Sequence, residues 1–212
     1  MREALIISRP ADSSSVPQGL LLLFHGVGSN AEDLAPLGEA LASQLRHSWV
    51  ISVRSPDRSD FGSGWQWFSV QGVTEANRPA RVAAAMPRFV DAVRAWQGET
   101  GIAPSATALV GFSQGAIMAL ESTQKSEPIA GRVVAIAGRF AQPPRVAPSQ
   151  VAVHLLHGEQ DRVMPASLAT DAAAQWRALG GVATLDVFPD LGHGIDGRVG
   201  RRVAEFLATS TP

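Results

Sequence analysis

The chain has 212 residues, 45% of them hydrophobic and 17% charged, with a formal net charge of -1. That length suits one domain over residues 1–212, and the apolar content is too high for a disordered chain. The balanced, dispersed charge gives nucleic acid no electrostatic footprint, and the lack of cysteine excludes disulfides, thiolate metal sites and cysteine nucleophiles together.

In chain order, Met1 to Pro10 carries only a short apolar run, Ala4 to Ile7. It is too short for a signal-peptide core, and Leu20 to Phe24 falls far short of a bilayer span. A cytoplasmic protein with no stable membrane insertion is expected. Ala4 to Ser8 reads as an edge strand and Asp12 to Gln18 as a Ser/Pro turn segment. Gly19 to Phe24 is a continuous apolar run, as expected for a strand buried on both faces. It stops at His25-Gly26-Val27-Gly28, after which Asn30 can cap a helix with Asp33 in its first turn. That helix carries Leu34, Leu37, Leu41 and Leu45 on one side.

Trp49 to Val53 is the next strand, followed by a long irregular stretch from Arg54 to Asn77. Trp65, Trp67 and Phe68 cluster within it, and irregular stretches of this length are commonly functional. Pro79 opens a helix bearing Val82, Met86, Phe89, Val90 and Val93. Gly98 is the expected end of that helix, and Pro87 predicts a kink or break inside it. Strands are expected at Ala106 to Val110, Val133 to Ala137, Val151 to Leu156 and Thr184 to Phe188. Helices are expected at Ala116 to Gln124, Pro165 to Leu179 and Arg198 to Leu207, with a proline-rich loop over Gly138 to Pro148. This alternation is that of an α/β fold: a mostly parallel central sheet with helices on both faces.

Gly111-Phe112-Ser113-Gln114-Gly115 fits G-x-S-x-G and sits between an apolar strand and a helical pattern. That is the setting of a nucleophile elbow, in which a sharp turn projects the serine above the sheet end. The bland alternative is a tight turn with an incidental serine. A serine hydroxyl needs a base, and the base an orienting acid. In this arrangement the chain order is Ser, acid, His. His193, in Gly192-His193-Gly194 after the last strand, stands where that order places the base. His154 lies inside a strand, where packing suits it better. His157 ends that strand and suits a role in shaping the acid loop. Asp161 is the favoured acid, just past a buried strand and before Val163 and Pro165. Its rivals are Glu159 and Asp190, and its plainer reading is a helix cap. Asp186 lies within a strand.

The tetrahedral oxyanion needs two preorganised donors. One is expected from the backbone N–H of Gln114 and the other from the early loop, at Val27. His25 is expected to pin that loop. Trp67 and Phe68 are candidates to line an acyl pocket, with core packing as the competing reading.

The sequence resembles the carboxylesterase/phospholipase family of α/β-hydrolases, which includes acyl-protein thioesterases. The motifs are Leu23 to Gly28 with Asp33-Leu34, Gly111 to Gly115, His157-Gly158 to Asp161 with Val163 and Pro165, and Gly192-His193. The resemblance covers most of the chain. It implies Ser113, Asp161 and His193 as the triad and Val27 and Gln114 as oxyanion donors. Gln66 to Ser69 is similar to the Gln-Trp-Phe-Ser segment of small bacterial esterases, whereas acyl-protein thioesterases usually carry Trp-Phe-Asp. That departure points away from protein deacylation.

The expectation is a serine carboxylesterase acting on a small-molecule ester of small to medium acyl length. Neither cofactor nor metal is expected, since no acidic or histidine cluster has ligand spacing. A lysophospholipase or thioesterase, and a non-catalytic binding module on the same fold, are the alternatives. A homodimer stays open.

Overall fold

The computed structural model describes residues 4–11 and 17–209. The turn segment expected over Asp12 to Gln18 therefore lies mostly outside the described residues. Seven strands form one sheet in the order β1-β3-β2-β6-β7-β8-β9. They are β1 (Ala4–Ser8), β2 (Gly19–Phe24), β3 (Ser48–Val53), β6 (Thr107–Phe112), β7 (Arg132–Ile136), β8 (Ala152–Gly158) and β9 (Val182–Phe188). Edge strand β1 runs antiparallel to β3, and every other pairing is parallel. A separate two-residue pair, β4 (Asp57–Arg58) with β5 (Trp65–Gln66), breaks up the long stretch expected to be irregular. The helices are α1 (Ala35–Ala42), α2 (Arg78–Thr100), α3 (Gln114–Ser122), α4 (Ser167–Ala178) and α5 (Gly197–Ala208).

Side chains alternate across a strand, and β2 shows what this does to an all-apolar run. Leu20, Leu22 and Phe24 enter a core shared with α2, α3 and α4. Leu21 and Leu23 enter a second core with α1 and α5 on the opposite face. Each such leucine contributes roughly 1.5–3 kcal/mol of burial, so the run is held from both sides.

For α2 the end expected at Gly98 is corrected, and of the kink or break expected at Pro87 the break does not occur. The helix runs unbroken through Pro87 and past Gly98 to Thr100. Pro87 and Ala83, whose carbonyl loses its partner to the proline, both lie on the exposed side, where water can satisfy it. Val82, Ala85, Met86, Phe89, Val90 and Val93 hold the opposite side in the core, and that packing outweighs the proline's cost of about 3 kcal/mol. The stop is Gly101 instead, at φ 71°, with its N–H donating to the Gln97 carbonyl. The helix after Ser113 begins at Gln114 rather than Ala116. Asn30 and Asp33 do cap each other at the first helical turn: Asn30 Oδ1 accepts from Asp33 N–H, and Asp33 Oδ2 accepts from Asn30 N–H. That turn is a short 3-10 segment over Glu32–Leu34, leading into α1.

From β6 outward the sheet adds β7, β8 and β9 in chain order, while β2 sits on the other side of β6. The carboxyl ends of β2, β6, β8 and β9 therefore face one edge, and the strand order reverses between β2 and β6. Ligands of open α/β sheets bind at such an edge.

Candidate active site

Ser113 follows β6 directly at φ 54° and ψ -113°. This conformation is costly for a residue with a Cβ, by about 1–3 kcal/mol. The neighbouring glycines make it attainable. A Cβ at Gly111 would sit 2.4 Å from the Ala116 nitrogen, and one at Gly115 would sit 2.1 Å from the Phe24 carbonyl oxygen. Strand, turn and helix can approach this closely only without side chains at those two positions. The N–H of Ser113 donates to the Ile136 carbonyl at 2.9 Å. Its own amide is thus committed, whereas the N–H of Gln114, the first residue of α3, has no partner inside the helix.

His193 comes from the loop after β9 and Asp161 from the loop after β8. His193 Nε2 lies 2.9 Å from Ser113 Oγ, and His193 Nδ1 lies 2.7 Å from Asp161 Oδ2. The other carboxylate oxygen accepts the Val163 and Met164 N–H groups, each at 2.8 Å. Burial works against ionising Asp161. The Met164 N–H, His193 and the Val163 N–H outweigh it and hold the carboxyl below the usual carboxylate range. An ionised Asp161 keeps the imidazole proton on Nδ1 and leaves Nε2 as an acceptor for the serine proton. The Phe112 ring packs against the His193 ring, centroids 5.1 Å apart.

The rival acids are engaged elsewhere. Asp190 pairs with Arg198 at 2.6 Å, and Asp186 pairs with Arg202 at 3.0 Å. Glu159 points to solvent. His154 is fully buried, with Nδ1 on the Thr184 hydroxyl and its ring stacked on Phe206. His157 Nε2 donates to the Met164 carbonyl at 2.8 Å and lies 3.2 Å from Asp161 Oδ2, so it shapes the acid loop.

The loop carrying Val27 is braced from two sides. His25 Nδ1–H donates to the Gly26 carbonyl at 2.7 Å, and Nε2 accepts from the Ser55 N–H at 3.0 Å. Burial lowers the His25 pKa against the pull of the Gly26 carbonyl and of Asp33 and Glu32. The ring is therefore a neutral brace, not a base. From the other side, Gly28 N–H donates to the Trp65 carbonyl at 2.9 Å, and Trp65 N–H donates to the Ser29 carbonyl at 2.8 Å. The loop also lies against Ser113: a Cβ at Gly26 would be 3.2 Å from Ser113 Cβ.

Trp67 and Phe68 are both buried. The Trp67 indole packs edge-on against Phe89, 5.0 Å between centroids, and tilted against Phe24 at 6.0 Å. Both residues also border a cleft of about 430 Å³, together with Asp57, Ser69, Arg81 and Arg88. Two residues that sequence reasoning missed organise this stretch. Asp60 accepts from Ser69 Oγ, Val70 N–H and Gln66 Nε2. Arg81 donates to the Ser69 and Gln71 carbonyls. The available signal was physical: an ordered stretch without regular structure must satisfy its backbone groups with side chains.

Among the described residues no three His, Cys, Asp or Glu side chains come together as a metal site. No described helix is long and apolar enough to cross a membrane.

The profile of the phospholipase/carboxylesterase family matches residues 7–211. Esterase YpfH of Escherichia coli (strain K12) is 45% identical over 195 residues, covering 92% of this chain and 84% of that protein. Acyl-protein thioesterase 1 of Kluyveromyces lactis is 28% identical over 182 residues, covering 77% of this chain and 78% of that protein. Among solved structures, esterase PE8 superposes with a TM-score of 0.85 at 26% identity, covering 97% of this chain and 96% of that one. The Bacillus cereus carboxylesterase shares the fold, with a TM-score of 0.81 at 18% identity over 98% and 93% of the two chains. The chain belongs to the phospholipase/carboxylesterase family of α/β-hydrolases.

Proposed function

We propose that this protein is a serine carboxylesterase that cleaves small to medium acyl esters through an acyl-enzyme on Ser113. The observation that carries the reading is the unbroken relay from Ser113 Oγ through His193 to Asp161 at the carboxyl edge of the sheet. The serine proton passes to His193 Nε2 as Oγ bonds to the ester carbonyl carbon. Asp161 stabilises the imidazolium. The N–H groups of Val27 and Gln114 receive the negative oxygen, and loss of one such donor typically costs about 100- to 1,000-fold in rate. The tetrahedral species collapses, the carbon–oxygen bond to the alcohol breaks, and His193 hands its proton to the departing oxygen. Water then gives a proton to His193 and attacks the acyl carbon, and the serine leaves with its proton restored.

The substrate in this reading is a small-molecule ester, and the location is the cytoplasm, in keeping with a chain that has no cysteine. A fluorophosphonate probe tests the mechanism. Wild type should label at Ser113, and Ser113→Ala should not. An unlabelled wild type would favour a non-catalytic binding module on this fold, and equal labelling of Ser113→Ala would place the nucleophile elsewhere. Lysophospholipase or acyl-thioesterase activity is the second reading, favoured by the similarity to the Kluyveromyces thioesterase. A panel of esters, thioesters and lysophospholipids separates them by kcat/KM.

A further inference from the structure

The oxyanion role asks only for the backbone N–H of residue 114, which any amino acid except proline supplies. Gln114 nevertheless carries a long polar side chain that is buried, 2% exposed, with both its polar atoms hydrogen-bonded. Its Oε1 accepts the Trp67 N–H at 2.7 Å, and its Nε2 donates to the Phe68 carbonyl at 2.8 Å. The two partners have opposite polarity, so a carboxamide suits them and neither a carboxylate nor an ammonium does.

The rest of the segment around these two residues is satisfied from its outer side, by Asp60 at Val70 and by Arg81 at the Ser69 carbonyl. Those ties are charged and lie toward solvent. The inner tie is neutral, as burial without a counter-ion requires. The Trp67 ring closes the circuit. It packs on Phe24, whose carbonyl oxygen is the atom that leaves no room for a Cβ at Gly115. End of β2, elbow and aromatic segment thus form one contact ring around the first turn of α3.

We infer that the Gln114 carboxamide is a positioning group that joins the Trp65–Ser69 segment to the nucleophile elbow, so that this segment, in the role of an acyl-binding wall, and the direction of the Gln114 N–H are set together. The inference rests on the serine-esterase reading above. It adds that residue 114 acts through its side chain as well as its backbone, and that acyl-chain preference and oxyanion stabilisation are coupled through it.

Gln114→Met and Gln114→Glu test this with p-nitrophenyl esters from acetate to octanoate. Rates are counted per site titrated with fluorophosphonate, so that misfolded protein does not enter. Methionine keeps the bulk and removes both hydrogen bonds. The expected result is a kcat lowered about 10- to 100-fold, since two buried backbone groups lose their partners. KM should change more for octanoate than for acetate. In Gln114→Glu the ionised carboxylate faces the Phe68 carbonyl, and protonation restores a donor there. The variant-to-wild-type ratio of kcat should therefore rise as pH falls from about 8 to about 6, because burial raises a carboxyl's pKa. A Gln114→Met enzyme with wild-type kcat and chain-length profile overturns the inference, as does a Gln114→Glu ratio that is flat across pH while only the melting temperature drops. If Gln114→Met does not fold, the Gln114→Glu pH ratio decides alone. Failure of wild type to label at Ser113 would instead overturn the esterase reading.

Discussion

Asp161 and His193 meet at 2.7 Å, carboxylate oxygen to Nδ1, while the second Asp161 oxygen is already held by two backbone N–H groups. The carboxylate can therefore neither rotate nor exchange its oxygens without breaking its own loop. In Asp161→Asn the amide oxygen must stay with the Val163 and Met164 N–H groups, so the NH₂ group faces His193. The imidazole is then forced to carry its proton on Nε2, opposite Ser113, and the base is lost. A kcat reduced by about 10,000-fold is expected, with an unchanged circular-dichroism spectrum. A loss below about tenfold would mean that another acid serves His193.

Gly115→Ala should damage the fold before it touches the chemistry. The added Cβ would meet backbone, the Phe24 carbonyl, at 2.1 Å, and backbone yields less readily than a flexible side chain. A destabilisation of about 2–3 kcal/mol corresponds to a melting temperature lower by about 5–10 °C. Calorimetry checks it, and an unchanged melting temperature would show that α3 can move off β2.

His25→Leu removes the acceptor for the buried Ser55 N–H and the brace of the Val27 loop. The expected outcome is a kcat lowered about 10- to 100-fold, with the same number of fluorophosphonate-titratable sites. Steady-state kinetics per titrated site measure it. A wild-type kcat would show that the ties to Trp65 hold the loop unaided.

Stability should fall in mild acid. Burial pushes the His154 pKa down to about 4, against the pull of Asp186 and Glu205 and with the push of Arg202. Unfolded, the same group binds a proton near its ordinary pKa of about 6.5. Between these values the unfolded chain holds more protons than the folded one, so stability is present above about pH 6.5 and drains away toward pH 4. The contribution is roughly 3 kcal/mol. Urea unfolding at several pH values should show this slope in wild type and a shallower one in His154→Phe, which keeps a ring against Phe206. Some slope remains, because His25 is also depressed by burial. Equal slopes in the two proteins would rule out His154 as its source.

Much of this molecule was legible in the amino-acid order because its strongest signals are local. An all-leucine run like Leu20 to Leu23 has no face to offer water, so it belongs in the middle of a sheet. Gly-x-Ser-x-Gly between a strand and a helix carries its own geometry. The choice among Asp161, Asp190 and Glu159 was harder, because separation along the chain says little about distance across the sheet edge. Asp190 is close to His193 in sequence yet is drawn to Arg198 by α5. For a related reason Pro87 does not break α2: the local rule is real, but packing of Phe89 and Val93 on the far side of the helix is stronger. The carboxamide of Gln114 was invisible at that level, since its partners Trp67 and Phe68 lie in a segment whose path only the folded chain defines.

The order in which strands join the sheet has a consequence for the protein during its own synthesis. Ser113 follows β6, Asp161 follows β8, and His193 follows β9 at the growing edge. In the serine-esterase reading, a ribosome-bound chain that has formed its elbow still lacks His193, the base of the relay. On that reading the hydroxyl gains its base only once the loop after β9 is in place, and a fragment ending before residue 193 should carry a shaped but silent serine.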